Sequence, residues 1–562
     1  MTRRVYTTAL TVVVALSIVA FGVYATVRTT APRAHADQPL PLPLTQQHFN
    51  GVDPIFESGD GGPASLGDLK NPPSPVCATT TSLAANVNTD CELSPHNETS
   101  LAVNPTNSAN IIAGANDYQL ILTSGGTLKE TIFTRAHVTF DGGQTWTDSP
   151  ITTPQYSATG DPAVTFDANG TAYLATLGFL FGVGPSPTET VPDVIVSHST
   201  DGGKTWLGPV RVATGAGSFF SVSTFNDKEY ITAWGNGNAI VTWTVFNDGI
   251  KGRTINSPIF DVVTHDGGKT WTAPTEISGS AAFCLGALPS NPTACDQDQF
   301  SVPTVAADGS IYVAFESLAN AATGRDQYLV VKVDPTTGQR IAGPFKVAGL
   351  VDGITDYPIN EDGRQTYQDS EFRTNSAGNI TADPTTAGHL AVVFSDMRNS
   401  TLPAPSDPYS ATTNSDVVVS QSFDGGATWS APVAVTAPGD QFMPWGAYDA
   451  SGRLRIGYFD RSYDPANHKF GYTLATETAP GSLSFAFTQV TTTLSDPTQG
   501  DRWFSGRTPN PSFPHPSSFL GDYSGIAISP SGVVTLWTDM RTTASFAGRS
   551  GAGEDAFYAA AP

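Results

Sequence analysis

Apolar residues along this chain come in short runs rather than at the i, i+3, i+4, i+7 spacing of an amphipathic helix. One stretch reads Asp161 to Phe166, Thr171 to Leu177, Asp193 to Ser199 and Pro209 to Ala213, and Gly, Asp, Asn or Pro punctuate the gaps. Runs of this kind predict strands joined by turns, and four in succession predict one antiparallel four-stranded sheet. The four-run unit recurs near residues 98–152, 160–214, 218–279, 297–348, 370–437, 440–492 and 518–560. Such a repeat predicts an all-β propeller with seven blades. The last unit ends at Asp555-Ala556-Phe557-Tyr558-Ala559 without a fourth run. A strand from before Glu98, over Thr81 to Val87, is therefore expected to close the ring and cover the open edge.

Composition supports turns over helices, with 54 Gly and 42 Pro. Residues 1–36 combine Arg3 and Arg4, an apolar run from Val12 to Val27 and the small-residue site Ala34-His35-Ala36, which reads as a secretory signal peptide. An uncleaved N-terminal membrane anchor is the alternative, since Val5 to Val27 is long enough to span a bilayer. Both readings put the body outside the cytoplasm, secreted or held at the outer face of the membrane. Residues 37–95 read as a Pro/Gly-rich arm and 96–562 as the propeller. Residues 1–36 hold four arginines and no acid, so without them the formal charge of −23 becomes −27. So acidic a chain argues against nucleic acid as partner, because phosphate binding needs a basic surface. Cys77 with Cys91 and Cys284 with Cys295 form two close pairs, expected as disulfides in an exported chain. No metal-ligand spacing, phosphate loop, dinucleotide fingerprint or Gly-x-Ser-x-Gly elbow occurs, so no cofactor or metal is assigned.

Four turns share the pattern Ser/Thr-x-Asp-x-Gly-x-Thr-Trp: Thr139 to Trp146, Ser199 to Trp206, Thr264 to Trp271 and Ser422 to Trp429. In each, the aspartate (Asp141, Asp201, Asp266, Asp424) can accept turn N–H groups, the glycines supply positive φ, and the tryptophan (Trp146, Trp206, Trp271, Trp429) anchors the turn on the sheet. The fourth and sixth units keep only Asp334-Pro335-Thr336-Thr337-Gly338 and Pro480-Gly481-Ser482. These turns resemble the Asp boxes, or bacterial neuraminidase repeats, of the sialidase-like propellers. That resemblance implies a propeller whose boxes lie away from the catalytic face, and it brings six blades as the alternative count.

In a four-stranded blade, residues before the first strand and after the second share one face, opposite the box turns. Glu98, Asp161, Asp227, Asp298 and Asp522 with Tyr523 stand before first strands. Converging carboxylates suit glycoside hydrolysis, as acid, base or stabiliser of a cationic transition state; capping of strand ends is the plainer role. After second strands stand Asp396-Met397-Arg398, Asp460-Arg461 and Asp539-Met540-Arg541. Arg398, Arg461 and Arg541 could grip a substrate carboxylate, and their neighbouring acids equally suggest structural ion pairs.

Gly521-Asp522-Tyr523-Ser524-Gly525 resembles the late sialidase segment in which a tyrosine supplies the nucleophile. The resemblance implies Tyr523 as the nucleophile; Asp161 and Glu98 join it as catalytic candidates by their place on the same face, and Arg398, Arg461, Arg541 and Asp522 as substrate-binding ones. The Phe-Arg-Ile-Pro segment of the family is absent near the start of the ring; the nearest string is Glu371-Phe372-Arg373-Thr374 in the fifth unit. The expected function is a secreted, monomeric glycoside hydrolase acting on terminal, sialic-acid-type sugars of extracellular glycans or glycoproteins, with a non-catalytic glycan- or protein-binding propeller as the alternative. Phe219, Phe220, Phe300, Phe442, Trp445 and Trp503 at blade openings could stack on a sugar in either case.

Overall fold

The computed structural model describes Cys77–Ala78 and residues 86–561 apart from 91–94, 123–127, 157, 180–191, 218–221, 250–252, 319, 321, 323–324, 354–355, 361–363, 401–407, 436, 500–518 and 547–548. Residues 1–36, most of the 37–95 arm, Phe219, Phe220 and Trp503 lie outside this set. Seven antiparallel sheets form a ring, each holding one of the seven units recognised in the sequence. Their innermost strands are His96–Val103, Ala158–Phe166, Ser223–Trp234, Asp298–Val305, Asn379–Ala382, Gln441–Tyr448 and Gly525–Ser529. Each touches the innermost strands of the blades before and after it, and the seventh touches the first, so the ring is closed.

Val87–Asn88 pairs with Asp555–Ala561 as the fourth strand of blade 7. The expected strand over Thr81 to Val87 meets this one only at Val87, and residues 81–85 lie outside the description. Cys77–Ala78 adds a further edge to blade 1. Cys284 and Cys295 form a disulfide in the loop between blades 3 and 4. Cys91, the expected partner of Cys77, is outside the described residues. Among the described residues no helix is long and apolar enough to cross a membrane.

Burial explains why the runs looked continuous rather than alternating. Second strands such as Ile311–Ser317 and Leu390–Asp396 are buried at every position, because neighbouring blades cover both faces. Outermost strands such as Phe485–Gln489 are largely exposed. The four box turns share one network: the Thr hydroxyl donates to the Asp Oδ2 at 2.6 Å in each, and the leading Ser or Thr oxygen accepts the second glycine N–H. In blade 3 the Thr270 hydroxyl and N–H hold Asp266 down at about 2. Three of these turns also donate to the hairpin between the first and second strands, through Gly142, Gly267 and Gly425. That places them on the face opposite the openings of the first strands.

Five innermost strands carry the same irregularity. The register slips between Asn97 and Ser100, Gly160 and Ala163, Asp227 and Tyr230, Gln299 and Val302, and Phe442 and Trp445. Inside each slip one residue is left-handed: Glu98, Asp161, Lys228, Phe300 and Met443, with φ from 48° to 59°. A bulge re-aims the side chain it carries, at a backbone cost of about 1 kcal/mol for a non-glycine residue. Here the device places side chains at the ring axis.

Candidate functional site

Lys228 is the hub of the axial site. Its Nζ lies 2.7 Å from Asp522 Oδ2, 2.9 Å from Asp161 Oδ2, 3.3 Å from Glu98 Oε1 and 4.0 Å from Asp227 Oδ1. The three left-handed residues Glu98, Asp161 and Lys228 thus come from blades 1, 2 and 3 to one point. Asn116 links the first two, donating to Glu98 Oε2 at 2.7 Å and accepting the Asp161 N–H at 2.8 Å. Arg373 grips Asp522 with two bonds, of 2.8 Å and 2.5 Å, and stacks on Phe519. Gly521, with φ of 86°, permits this convergence, since a Cβ there would lie 2.6 Å from the Glu98 nitrogen.

Acids outnumber bases in this cluster, so protons must be held within it. Burial, then the charge of Asp161, pushes Glu98 well above the usual carboxyl range, and the Glu98–Asp161 hydrogen bond adds to the shift. Glu229 is raised likewise by burial and Asp161, and neither of its carboxyl oxygens has a hydrogen-bond partner among the described residues. Burial pushes Asp227 up to about 6 against the pull of Lys228. Burial opposes ionisation of Asp522 too, but Arg373 and Lys228 win and hold it well below the usual range. Burial would lower Lys228, yet Asp161, Asp522 and Glu98 keep it firmly charged.

Beside the cluster opens a small cleft, a cavity of about 30 Å³, lined by the openings of blades 3 to 7. Tyr230, Trp445 and Tyr523 form an aromatic wall, with ring centroids 4.9 Å apart for Tyr230–Trp445 and 6.4 Å for Trp445–Tyr523. Glu229, Phe300 and Asp522 also line it. Burial, then Glu98, Asp161 and Glu229, keeps the Tyr523 phenol protonated far above its ordinary range. Phe442 is fully buried against Tyr367 and Phe459 and offers no face to this cleft.

The structure brings Glu98, Asp161, Asp522 and Tyr523 together and keeps the three sequence-selected arginines apart from them. Arg398 is bidentate to Asp396, at 2.8 Å and 2.7 Å, and Arg541 is bidentate to Asp539, at 2.8 Å and 2.6 Å. Arg461 is fully buried, donating to Asp440, the Gln368 carbonyl and Ser370. Asp298 is buried in blade 4 and raised well above its usual value by burial. Sequence reasoning missed Lys228, Glu229 and Asn116. Lys228 sits two residues before its strand resumes pairing, as Glu98 and Asp161 do in theirs, an offset visible only once the register is known. For Arg373 the signal was Glu371-Phe372-Arg373-Thr374.

No family model matches this chain, and no curated protein matches it. Solved structures do overlay on it at low similarity. An ulvan lyase is 12% identical over 70% of this chain and 81% of its own, with a TM-score of 0.41. The NanB sialidase of Streptococcus pneumoniae is 9% identical over 88% and 95%, with a TM-score of 0.40. An α-L-arabinanase of Penicillium chrysogenum is 12% identical over 82% and 93%, with a TM-score of 0.37. At such overlaps the likeness carries no argument about what this chain does.

Proposed function

We propose that the chain is an exported, monomeric glycan-acting enzyme, a retaining glycoside hydrolase that works on terminal sugars at the axial cleft. The observation that carries this reading is Tyr523: a buried, neutral phenol on an aromatic wall, its hydroxyl turned to the Pro162 carbonyl at 3.5 Å and under the charge of Glu98 and Asp161. A phenol approaches a sugar without placing a bare carboxylate against it, and needs a neighbour to take its proton. The ionised member of the Glu98–Asp161 pair accepts that proton as Tyr523 Oη bonds to the anomeric carbon. Glu229, whose burial favours the protonated form, donates to the departing glycosidic oxygen. Water then releases the sugar from Tyr523, with the same groups working in reverse. Trp445 and Tyr230 supply the stacking face.

A sialic-acid-type residue is the substrate that the sequence resemblance implies. Its carboxylate would have to share Lys228 and Arg373 with Asp522, because both cations are engaged by acids. A second reading, a glycan-binding propeller without turnover, draws on the same pairing: Glu98, Asp161 and Asp522 are each at most 2% exposed and already compensated. The deciding experiment measures hydrolysis of a fluorogenic sialoside and of neutral aryl glycosides by the chain from Asp37. Turnover that falls at least ~100-fold in kcat in Tyr523→Phe is expected. Turnover that survives the substitution rejects Tyr523 as nucleophile, and saturable binding without any turnover favours the second reading.

A further inference from the structure

Away from the axial cleft, three chain segments meet where the ring closes. Thr89 donates both its N–H and its hydroxyl to the Ala556 carbonyl at 2.9 Å, setting Asp90 beside Asp555. His96 N–H donates to the Glu554 carbonyl at 2.7 Å, bringing the imidazole to the same place. The side chains of Asp90, His96 and Asp555 are all buried, and one donor atom from each lies within 4.8 Å of the others. Backbone bonds therefore position these donors before any ligand arrives.

We propose that Asp90, His96 and Asp555 form a divalent metal site of zinc type that staples the ring. His96 Nδ1 lies 3.4 Å from Asp90 Oδ2. That is long for a hydrogen bond but matches two ligands on one tetrahedral ion, which stand about 3.3 Å apart when each bond is about 2.0–2.1 Å. The other ring nitrogen, Nε2, faces Asp117 Oδ1 at 3.6 Å. Asp117 is in turn fixed by Arg135 Nε at 2.6 Å, and Arg135 also reaches Asp148 at 3.0 Å. A carboxylate behind a histidine is the usual outer partner of a metal-bound imidazole, and at 3.6 Å Asp117 stands just beyond hydrogen-bond reach of the ring. An imidazole nitrogen with two carboxylates suits zinc better than calcium, which takes six to eight oxygens. Three protein donors leave the remaining position to water. Because Asp90 follows the fourth strand of blade 7, Asp555 lies in that blade and His96 lies in blade 1, the ion would join the two ends of the ring.

The test uses the full chain from Asp37, stripped with chelator and then titrated with Zn²⁺ by calorimetry. One zinc per chain is expected, with a rise in Tm on loading, and at least ~10-fold weaker binding in Asp90→Asn and in His96→Gln. Co²⁺ on the unsubstituted chain gives a readout independent of how the variants fold: visible absorption typical of a tetrahedral ion is expected. Absence of stoichiometric zinc, preference for Ca²⁺, or an affinity unchanged in both variants overturns the site. So would a featureless Co²⁺ spectrum, leaving His96 as a plain ionic bridge between Asp90 and Asp117.

Discussion

At the ends of the second strands of blades 5 and 7, Arg398 and Arg541 each clasp an aspartate two residues back along the same segment. At the axis, Lys228 instead meets carboxylates from blades 1, 2 and 7, and Arg373 of the fifth unit reaches across to Asp522 of blade 7. The first kind of pair is complete within a few residues. Asp539 also accepts the Arg541 N–H at 2.9 Å and Trp537 Nε1 at 2.9 Å, so it is nearly satisfied without the guanidinium. The second kind has more acids than bases, and burial biases Glu98 and Glu229 towards their protonated forms. Ion pairing by itself therefore marks no site; a proton surplus drawn from several blades does.

Removing the hub tests this contrast most strongly. Lys228→Met leaves Glu98, Asp161 and Asp522 buried around an apolar tip, and a loss of about 3–5 kcal/mol is expected from urea denaturation. A loss no larger than that of an arginine variant at a strand end would erase the distinction. An intermediate effect is expected at Asp261, a fully buried acid with no hydrogen-bond partner for either oxygen among the described residues. Burial alone raises it from 3.8 to about 8. Between these values the unfolded chain has released the proton and the folded one still holds it. Asp261 therefore costs stability increasingly as pH rises from about 4 to about 8, and no further above that. Asp261→Asn should gain about 1–3 kcal/mol at pH 8 and little at pH 4. Parallel Tm-versus-pH curves for variant and parent would show that this acid is not proton-linked. The smallest effect is expected from Arg541→Gln, about 1 kcal/mol, since Asp539 keeps its N–H partners. A loss above about 3 kcal/mol would place Arg541 with the axial group.

How much of this was legible depended on how local the signal was. The box turns were readable because Asp266 finds Thr264, Lys269 and Thr270 within a few residues, a network written in one octapeptide. The seven units were readable because each strand run is bounded by its own turn residues. Glu98, Asp161, Asp522 and Tyr523 were chosen by topology, since a blade opening must face the axis. Lys228 and Glu229 stayed hidden beside Asp227 because a bulge without glycine leaves no mark in the composition: Lys228 is left-handed at φ 54° with an ordinary side chain. The pairing of Arg373 with Asp522 spans 149 residues, and no spacing rule reaches so far.

Arrays of repeated units gain and lose copies readily, because each copy contacts only its neighbours. The axial cluster withdraws that freedom from this ring. Lys228 belongs to blade 3 and Asp522 to blade 7, which are not neighbours, and their 2.7 Å contact holds only while the blades between them keep their number. A duplication inserted there would turn Asp522 away from its lysine and strand both charges in the interior. The number of blades is thereby guarded from the centre rather than from the rim.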